Sequence, residues 1–377
     1  MLFLDLKLRF VIIWIMNDDK IKVLHIADNK EEGGRSSYTV DLIKALNPGL
    51  NENYLITSET SQIGNLAEIR RVNHKNSKKL TSNKVLKYAA EVGAQILHFH
   101  DNDSFDLIPS ARISRRHSFR IVVDLHKYDW QKRRFPFQNK LKCGDMLIAS
   151  TNREKNFAYD IPFPIDKVSV INKPVNALRF NQTISPRPIL SAFNIPPEIM
   201  LLGTVARLDE TMNYRLWTDT IELIVKNYGD IEFLIVGEGK QRAAFESSLK
   251  NRGLYKKTLF TGFRDDIPQV LAAMDIYFHP TFEDKVPYSV LEAMAVGKPV
   301  VSPNLSSIRE MFVNERNGLF YDVESPESAF KLISHFKENP SEQAEVVRNN
   351  VEDTANKFGI KYAAKLVLDL YQRLMNQ

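Results

Sequence analysis

Asp284 and Glu292 stand eight residues apart in the run Met274-Asp-Ile-Tyr-Phe-His279-Pro280-Thr-Phe-Glu283-Asp284-Lys-Val-Pro287-Tyr-Ser-Val-Leu-Glu292-Ala-Met-Ala-Val-Gly297. An ionised carboxylate only accepts hydrogen bonds, and neighbouring hydroxyls on a sugar or ribose can both donate to one. The pattern reads as a strand ending at His279-Pro280, an acidic loop with Glu283 beside Asp284, and a helix from about Ser289 with Glu292 in its first turns. Open α/β sheets bind ligands just beyond the carboxyl ends of their strands. Glu292 equally fits a plain role in stabilising a helix start.

Three other constellations carry possible chemistry. Gly33-Gly34 follows the strand pattern Ile21-Lys-Val-Leu-His-Ile26 and precedes a helical run through Leu46, so amide groups there can approach a phosphate or sugar, or simply make a turn. Gly237-Glu-Gly239-Lys-Gln-Arg242 resembles a dinucleotide fingerprint, but Arg242 occupies the third glycine position, which argues against a nicotinamide enzyme. His98 and His100 share a strand face and precede Asp101 and Asp103, a candidate metal cluster or simply strand-end histidines. No Gly-x-Ser-x-Gly elbow or Walker loop is present, leaving hydrolase and kinase readings without support.

The elements that must hold these residues alternate between strand-like and helix-like segments, the pattern of a parallel sheet built from βαβ units. Strands are expected at 22–26, 54–57, 96–98, 121–125, 146–149 and 168–171, and again at 202–206, 232–236, 258–260, 276–279 and 299–302. Residues 181–198 contain Pro186, Pro188, Pro196 and Pro197 with little periodicity, as a connection between two sheets should. The expected organisation is an N-terminal extension 1–20, a first Rossmann-like domain 21–185, a second 186–352, and a C-terminal helix 353–377 packing back across the interface.

Composition sets the class. The chain has 377 residues, 44% apolar and 26% charged, which is ordinary globular usage and excludes disordered and fibrous classes. Cys143 is the single cysteine, so an intrachain disulfide, a thiolate zinc site and an iron–sulfur cluster are all excluded, and a cytoplasmic setting is expected. The apolar start Met1–Met16 is interrupted by Asp5, Lys7 and Arg9 and is too short to span a bilayer; it reads as a start-codon extension or an interfacial anchor. Residues 1–190 hold 30 basic and 20 acidic side chains, and the remainder 21 and 26. Ten basic residues fall in 111–142, interleaved with Phe119, Tyr128, Trp130, Phe135 and Phe137. No recognised nucleic-acid module surrounds them, so the segment is read as an anionic membrane contact or a solvated surface.

The spacing Asp284-x7-Glu292, with Pro287 between and Ala-Met-Ala-Val-Gly-Lys-Pro-Val-Val301 after, resembles the Glu-x7-Glu region of retaining glycosyltransferases of family four, which have the GT-B fold. Gly203-Thr-Val-Ala-Arg207-Leu, Ile231-Glu-Phe-Leu-Ile-Val-Gly237-Glu-Gly239, Phe260-Thr-Gly262, and Asn317-Gly318-Leu-Phe before Asp322 are similar to further landmarks of that family. Gly33-Gly34, His126 in Val123-Asp-Leu-His126-Lys, and Val170-Ile-Asn-Lys-Pro-Val-Asn176 extend the likeness more loosely into the first half.

The resemblance implies two doubly wound parallel-sheet domains facing across a cleft, with a nucleotide-sugar donor held mainly by the second. It implies that Glu292 accepts from the ribose, that backbone near Val290 and Leu291 meets the diphosphate, that Phe263 lies beside the base, and that Arg207 neutralises the leaving group. It further places Gly33, Gly34, Met212 and Gly237 at the donor, Asp284 with Glu283 on the donor-sugar hydroxyls, and His126 on the reaction side. Neither a metal nor a cofactor is implied. The acceptor would be a glycan or lipid-linked molecule in surface-polysaccharide assembly, with no nucleic-acid partner, in the cytoplasm or on the inner face of the membrane. The chain departs from the family pattern at Met212, commonly Lys; at Asp284, generally Glu; and at Ser306-Ser307, usually a glycine pair. Met212 and Asp284 motivate a second reading, a noncatalytic GT-B subunit. A sugar-nucleotide epimerase is a third.

Overall fold

The computed structural model describes residues 20–28, 34–46, 49–59, 61, 73–100, 102–109, 118–125, 136–161, 163–312 and 316–377. The N-terminal extension, Gly33, His126, Asp101 and the larger part of the basic segment 111–142 lie outside them. By packing, the chain divides into Met1–Leu147 with Val367–Gln377, and Ile148–Leu366.

The first sheet contains β1 (Ile21–Ile26), β2 (Asn51–Ser58), β3 (Asn73–Ser77), β4 (Ile96–Phe99), β5 (Arg120–Asp124), β6 (Met146–Ala149) and β7 (Val168–Val170), in the order β3-β2-β1-β4-β5-β6-β7. The second contains β8 (Met200–Val205), β9 (Ile231–Val236), β10 (Thr258–Gly262), β11 (Ile276–Phe278), β12 (Val300–Pro303) and β13 (Leu319–Tyr321), in the order β10-β9-β8-β11-β12-β13. The strand pairings are parallel. The expected pair of doubly wound α/β sheets is therefore present. Sheet membership carries the first set of strands through Val170, whereas packing divides the chain inside β6, so the boundary read at 185/186 falls within the second packed unit.

The second sheet shows why its strands read as continuous apolar runs. Alternate residues face opposite sides, and helices cover both sides, so each side needs apolar residues. Leu201, Leu234, Val236 and Tyr277 pack on one side with Val290, Leu291 and Met294 of the helix Tyr288–Ala295. Leu202, Phe233, Ile235 and Phe278 pack on the other with Trp217 and Ile221 of the helix Tyr214–Asn227. The two strands not expected from sequence, β3 and β13, are both at sheet edges. β3 reads Asn-His-Lys-Asn-Ser and has no apolar side chain to signal it.

Candidate active site

The order of the second sheet reverses between β8 and β11, and the chain beyond those two carboxyl ends carries most of the residues singled out above. β8 runs into Ala206-Arg207-Leu208 and β9 into Gly237-Glu238-Gly239, and the two stretches pair directly. Ala206 N–H donates to Val236 O at 3.0 Å, Leu208 N–H to Glu238 O at 2.9 Å and Gln241 N–H to Leu208 O at 2.9 Å. So close an approach needs glycine. A β-carbon on Gly237, whose φ is +132°, would lie 1.9 Å from Ala206 O, and one on Gly239 would lie 2.1 Å from Leu208 O. Gly237 thus shapes the turn that presents Arg207, whose guanidinium is half exposed and 3.1 Å from the Asp209 carboxylate.

The loop after β11 is tied to the loop after β8. Asn213 N–H donates to Pro280 O at 3.1 Å, Phe282 N–H to Thr211 O at 3.0 Å, and the Thr281 hydroxyl to Thr211 O at 2.9 Å. Met212 forms a backbone bridge with Thr281 and is 5% exposed. Its side chain is part of the interior, so the position supplies no cation at the surface.

Helix Tyr288–Ala295 begins after Pro287, which gives its amides no side-chain cap, and closes at Val296 with Gly297 at φ +81°. Val290 and Leu291 are buried beneath the sheet, so their backbone rather than their side chains is what the helix start offers. Tyr277 fixes its place: the phenol donates to Val205 O at 3.1 Å and bonds the Ser289 hydroxyl at 2.8 Å. Glu292 is half-buried, and among the described residues no side chain hydrogen-bonds its carboxylate. Desolvation pushes its pKa up to about 7, and the charge of Arg179 opposes that rise. A carboxylate kept costly to ionise, beside an uncapped helix start, is suited to accept from hydroxyl donors that a ligand brings.

The two acidic residues of the loop are already engaged. Glu283 pairs with Lys285 at 2.5 Å. Asp284 forms an ion pair with Arg153 and accepts from the Ser306 hydroxyl and the Ser307 N–H, each at 2.7 Å. The two departures noted in the sequence therefore meet: Ser306-Ser307 contacts the shortened carboxylate of Asp284. Lys173, buried, donates to Val286 O at 3.0 Å from beneath the same loop.

Phe263 and Phe282 are large apolar side chains left 58% and 56% exposed. Phe263 follows the left-handed Gly262 at the end of β10; Phe282 lies in the acidic loop. Arg153, Lys173, Arg179 and Phe282 were not singled out by sequence. Arg153 reaches Asp284 across 131 positions of chain, and nothing local signals such a pairing.

In the first unit Gly34 opens the helix Gly34–Ala45, as expected for the residue after Gly33. His98 and His100 do come together, while Asp101, expected beside them, lies outside the described residues. The rings of His98 and His100 are tilted by 33° with centroids 4.0 Å apart, and they meet His25 from β1 and Asp124 from β5. Among the described residues no helix is long and apolar enough to cross a membrane.

Residues 189–353 match the family model described as Glycosyl transferases group 1. The chain is 27% identical over 188 residues to a 2-deoxystreptamine glucosyltransferase of Streptomyces kanamyceticus, a match covering 49% of each. The chain thus spans about half the length of that relative. Similarity to the O-antigen biosynthesis glycosyltransferase WclY of Escherichia coli is weaker but longer: 20% identity over 362 residues, 91% of this chain and 97% of WclY. Anabaena Alr3699/HepE, solved in complex with UDP and glucose, superimposes with a TM-score of 0.80 at 16% identity, over 94% of this chain and all of that one. The fold is accordingly GT-B.

Proposed function

With residues 189–353 a domain of the glycosyl transferases group 1 family, we propose that this protein transfers a sugar from a nucleoside-diphosphate sugar to a glycan or lipid-linked acceptor in surface-polysaccharide assembly. The observation that carries the reading is Glu292, a half-buried carboxylate in the first turns of a helix whose start has no side-chain cap, opposed in charge by Arg179; the half-exposed Arg207 follows β8. Glu292 accepts from the two ribose hydroxyls. The backbone of the helix start near Val290 and Leu291 and the Arg207 guanidinium meet the diphosphate, and Phe263 stacks on the base. Likeness to a fold solved with UDP and glucose supports a donor of this class.

Transfer proceeds with retention. The bond from the anomeric carbon to the diphosphate oxygen breaks with its electron pair leaving on the phosphate. The acceptor hydroxyl oxygen bonds that carbon on the same face and passes its proton to the leaving phosphate oxygen. Arg207 and the helix amides stabilise the charge that grows there. This route requires neither a protein nucleophile nor a metal at the donor. Gly33 and Gly34 serve the donor sugar in this proposal, and His126 the reaction side. The basic segment 111–142 supplies attraction to an anionic membrane surface or to a pyrophosphate-bearing acceptor.

A second reading, a noncatalytic subunit that keeps the fold, draws on one observation: Asp284 is occupied by Arg153, Ser306 and Ser307 instead of standing open for a sugar. Calorimetric titration with UDP, GDP and ADP separates the two. The transferase reading expects one of them to bind at micromolar strength and the Glu292→Ala variant to lose that binding while staying folded. Absence of binding to all three favours the noncatalytic subunit.

A further inference from the structure

The end of the first sheet holds three imidazoles and a carboxylate that the transfer chemistry does not use. His25, His98 and Asp124 are fully buried and His100 is 2% exposed. They come from neighbouring strands in register, His25 opposite His98 across β1 and β4, with Asp124 at the end of β5. One ligand nitrogen from each ring lies within 4.8 Å of the other two.

The hydrogen bonds fix how the rings are oriented. Asp124 Oδ2 lies 3.0 Å from His100 Nδ1, and an ionised carboxylate accepts only, so the His100 proton sits on Nδ1 and its Nε2 lone pair points inward. Asn53 Oδ1 lies 3.1 Å from His25 Nε2 and likewise takes the proton of that ring, leaving the Nδ1 lone pair inward. His25 Nδ1 and His100 Nε2 are 2.8 Å apart. Two lone pairs at that separation repel unless a cation lies between them. The third ring differs: Asp124 Oδ1 lies 2.9 Å from His98 Nε2, which by the same rule carries the proton, and the Tyr371 hydroxyl lies 2.5 Å from Nδ1, so His98 must give up its Nε2 proton if that nitrogen is to bind an ion.

We infer that His25, His98 and His100 are the protein ligands of a structural zinc site, with Asp124 as their charged outer partner. Zinc takes imidazole nitrogen and carboxylate oxygen in tetrahedral sets at about 2.0–2.2 Å, which separates ligand nitrogens by roughly 3.3 Å. That spacing falls between the 2.8 Å contact and the 4.8 Å outer bound of this cluster. Outer oxygen partners on ligating histidines are what metal sites use to fix the tautomer, and here Asn53, Asp124 and Tyr371 each supply one. Complete burial leaves no path for exchange in the folded unit, so the ion enters as the sheet forms. Its effect is to clamp the carboxyl ends of β1, β4 and β5 and, through Tyr371, the helix Ile360–Met375.

Elemental analysis of the full-length protein, purified without chelator, tests this directly. The expected result is about one zinc per chain, falling at least tenfold in His25→Gln and in His100→Gln. Because those variants can fail to fold, wild-type protein is also unfolded in EDTA and refolded with cobalt(II). A visible ligand-field spectrum of four-coordinate cobalt, with one-to-one stoichiometry, supports the site. Wild-type protein that contains no stoichiometric zinc and refolds with cobalt without such a spectrum overturns it, leaving a cluster bridged by protons alone.

Discussion

Ser307 donates its backbone N–H to Asp284 Oδ1 at 2.7 Å, and the carbonyl of Asp284 receives the Ser307 hydroxyl in return at 3.2 Å. With Arg153 and Ser306 on the other carboxylate oxygen, this reciprocal pair anchors the acidic loop to the segment after β12. Asp284→Ala removes charge-assisted acceptors that are partly exposed, so a loss of about 1–2 kcal/mol is expected. Asp284→Asn keeps an acceptor for Ser307 and should lose about half as much. Urea denaturation of the variants reads this, and an unchanged midpoint for Asp284→Ala would remove the anchoring role.

Glu292 links binding to pH. With a pKa near 7, the carboxylate proposed to accept from both ribose hydroxyls is mostly ionised only toward pH 8. Nucleotide affinity should therefore fall as pH drops from 8 to 6, approaching tenfold per unit below pH 7, and Glu292→Gln should abolish the slope. A wild-type dissociation constant that is flat across that range contradicts the assignment.

The same shift has a stability consequence of opposite sign. Below about pH 4.5 the group is protonated in both folded and unfolded chains. As pH rises toward 7 only the unfolded chain releases the proton, so stability falls, on the order of 3 kcal/mol for a shift from 4.5 to about 7, and is constant above. Glu292→Gln should consequently be more stable than wild type at pH 8 and equal to it near pH 4. Equal stability at both values would show that burial does not penalise the charge.

Gly237 and Gly229 form a matched pair for mutation. A β-carbon at Gly237 meets Ala206 O, whereas one at Gly229 meets nothing within 4 Å. Gly237→Ala should cost about 3 kcal/mol or more and displace Arg207, weakening nucleotide binding; Gly229→Ala should stay within about 0.5 kcal/mol of wild type. Thermal melts alongside nucleotide titration check both, and a well-folded Gly237→Ala that binds normally would refute the close-approach argument.

Phe263 is exposed, so Phe263→Ala should leave the melting temperature nearly unchanged while weakening nucleotide binding by roughly five- to tenfold, the worth of one aromatic stack. Equal affinity in wild type and variant would place the base elsewhere.

Strands with buried faces were legible because both sides of each sheet demand apolar residues, and β1, β4, β8, β9 and β11 lie within a residue or two of their expected limits. The edge strand β3, Asn-His-Lys-Asn-Ser, lacked that demand, whereas β13, Leu-Phe-Tyr, met it but is only three residues long. The same distinction separates the site residues. Glu292, Gly237 and Gly297 carry local signals, a helix start, a strand end and a helix stop. His98 and His100 were visible as a pair through their period-two spacing, but His25 and Asp124 join them through parallel register across 73 and 26 positions of chain, respectively. Asp101 and Asp103 were read beside them because adjacency is what one strand reveals.

The packed unit that begins the chain is also the one that ends it, since Val367–Gln377 belongs with Met1–Leu147. His98 and Tyr371 are 273 positions apart. A ribosome adding about 5–20 residues per second needs on the order of 14–55 s to travel that far. The middle unit, Ile148–Leu366, is therefore the first whose whole sequence is available, while the opening sheet waits with the seats of Leu370, Tyr371 and Leu374 uncovered. Nascent-chain vulnerability to proteases and demand for chaperones should concentrate on the earliest-made segment, not the last.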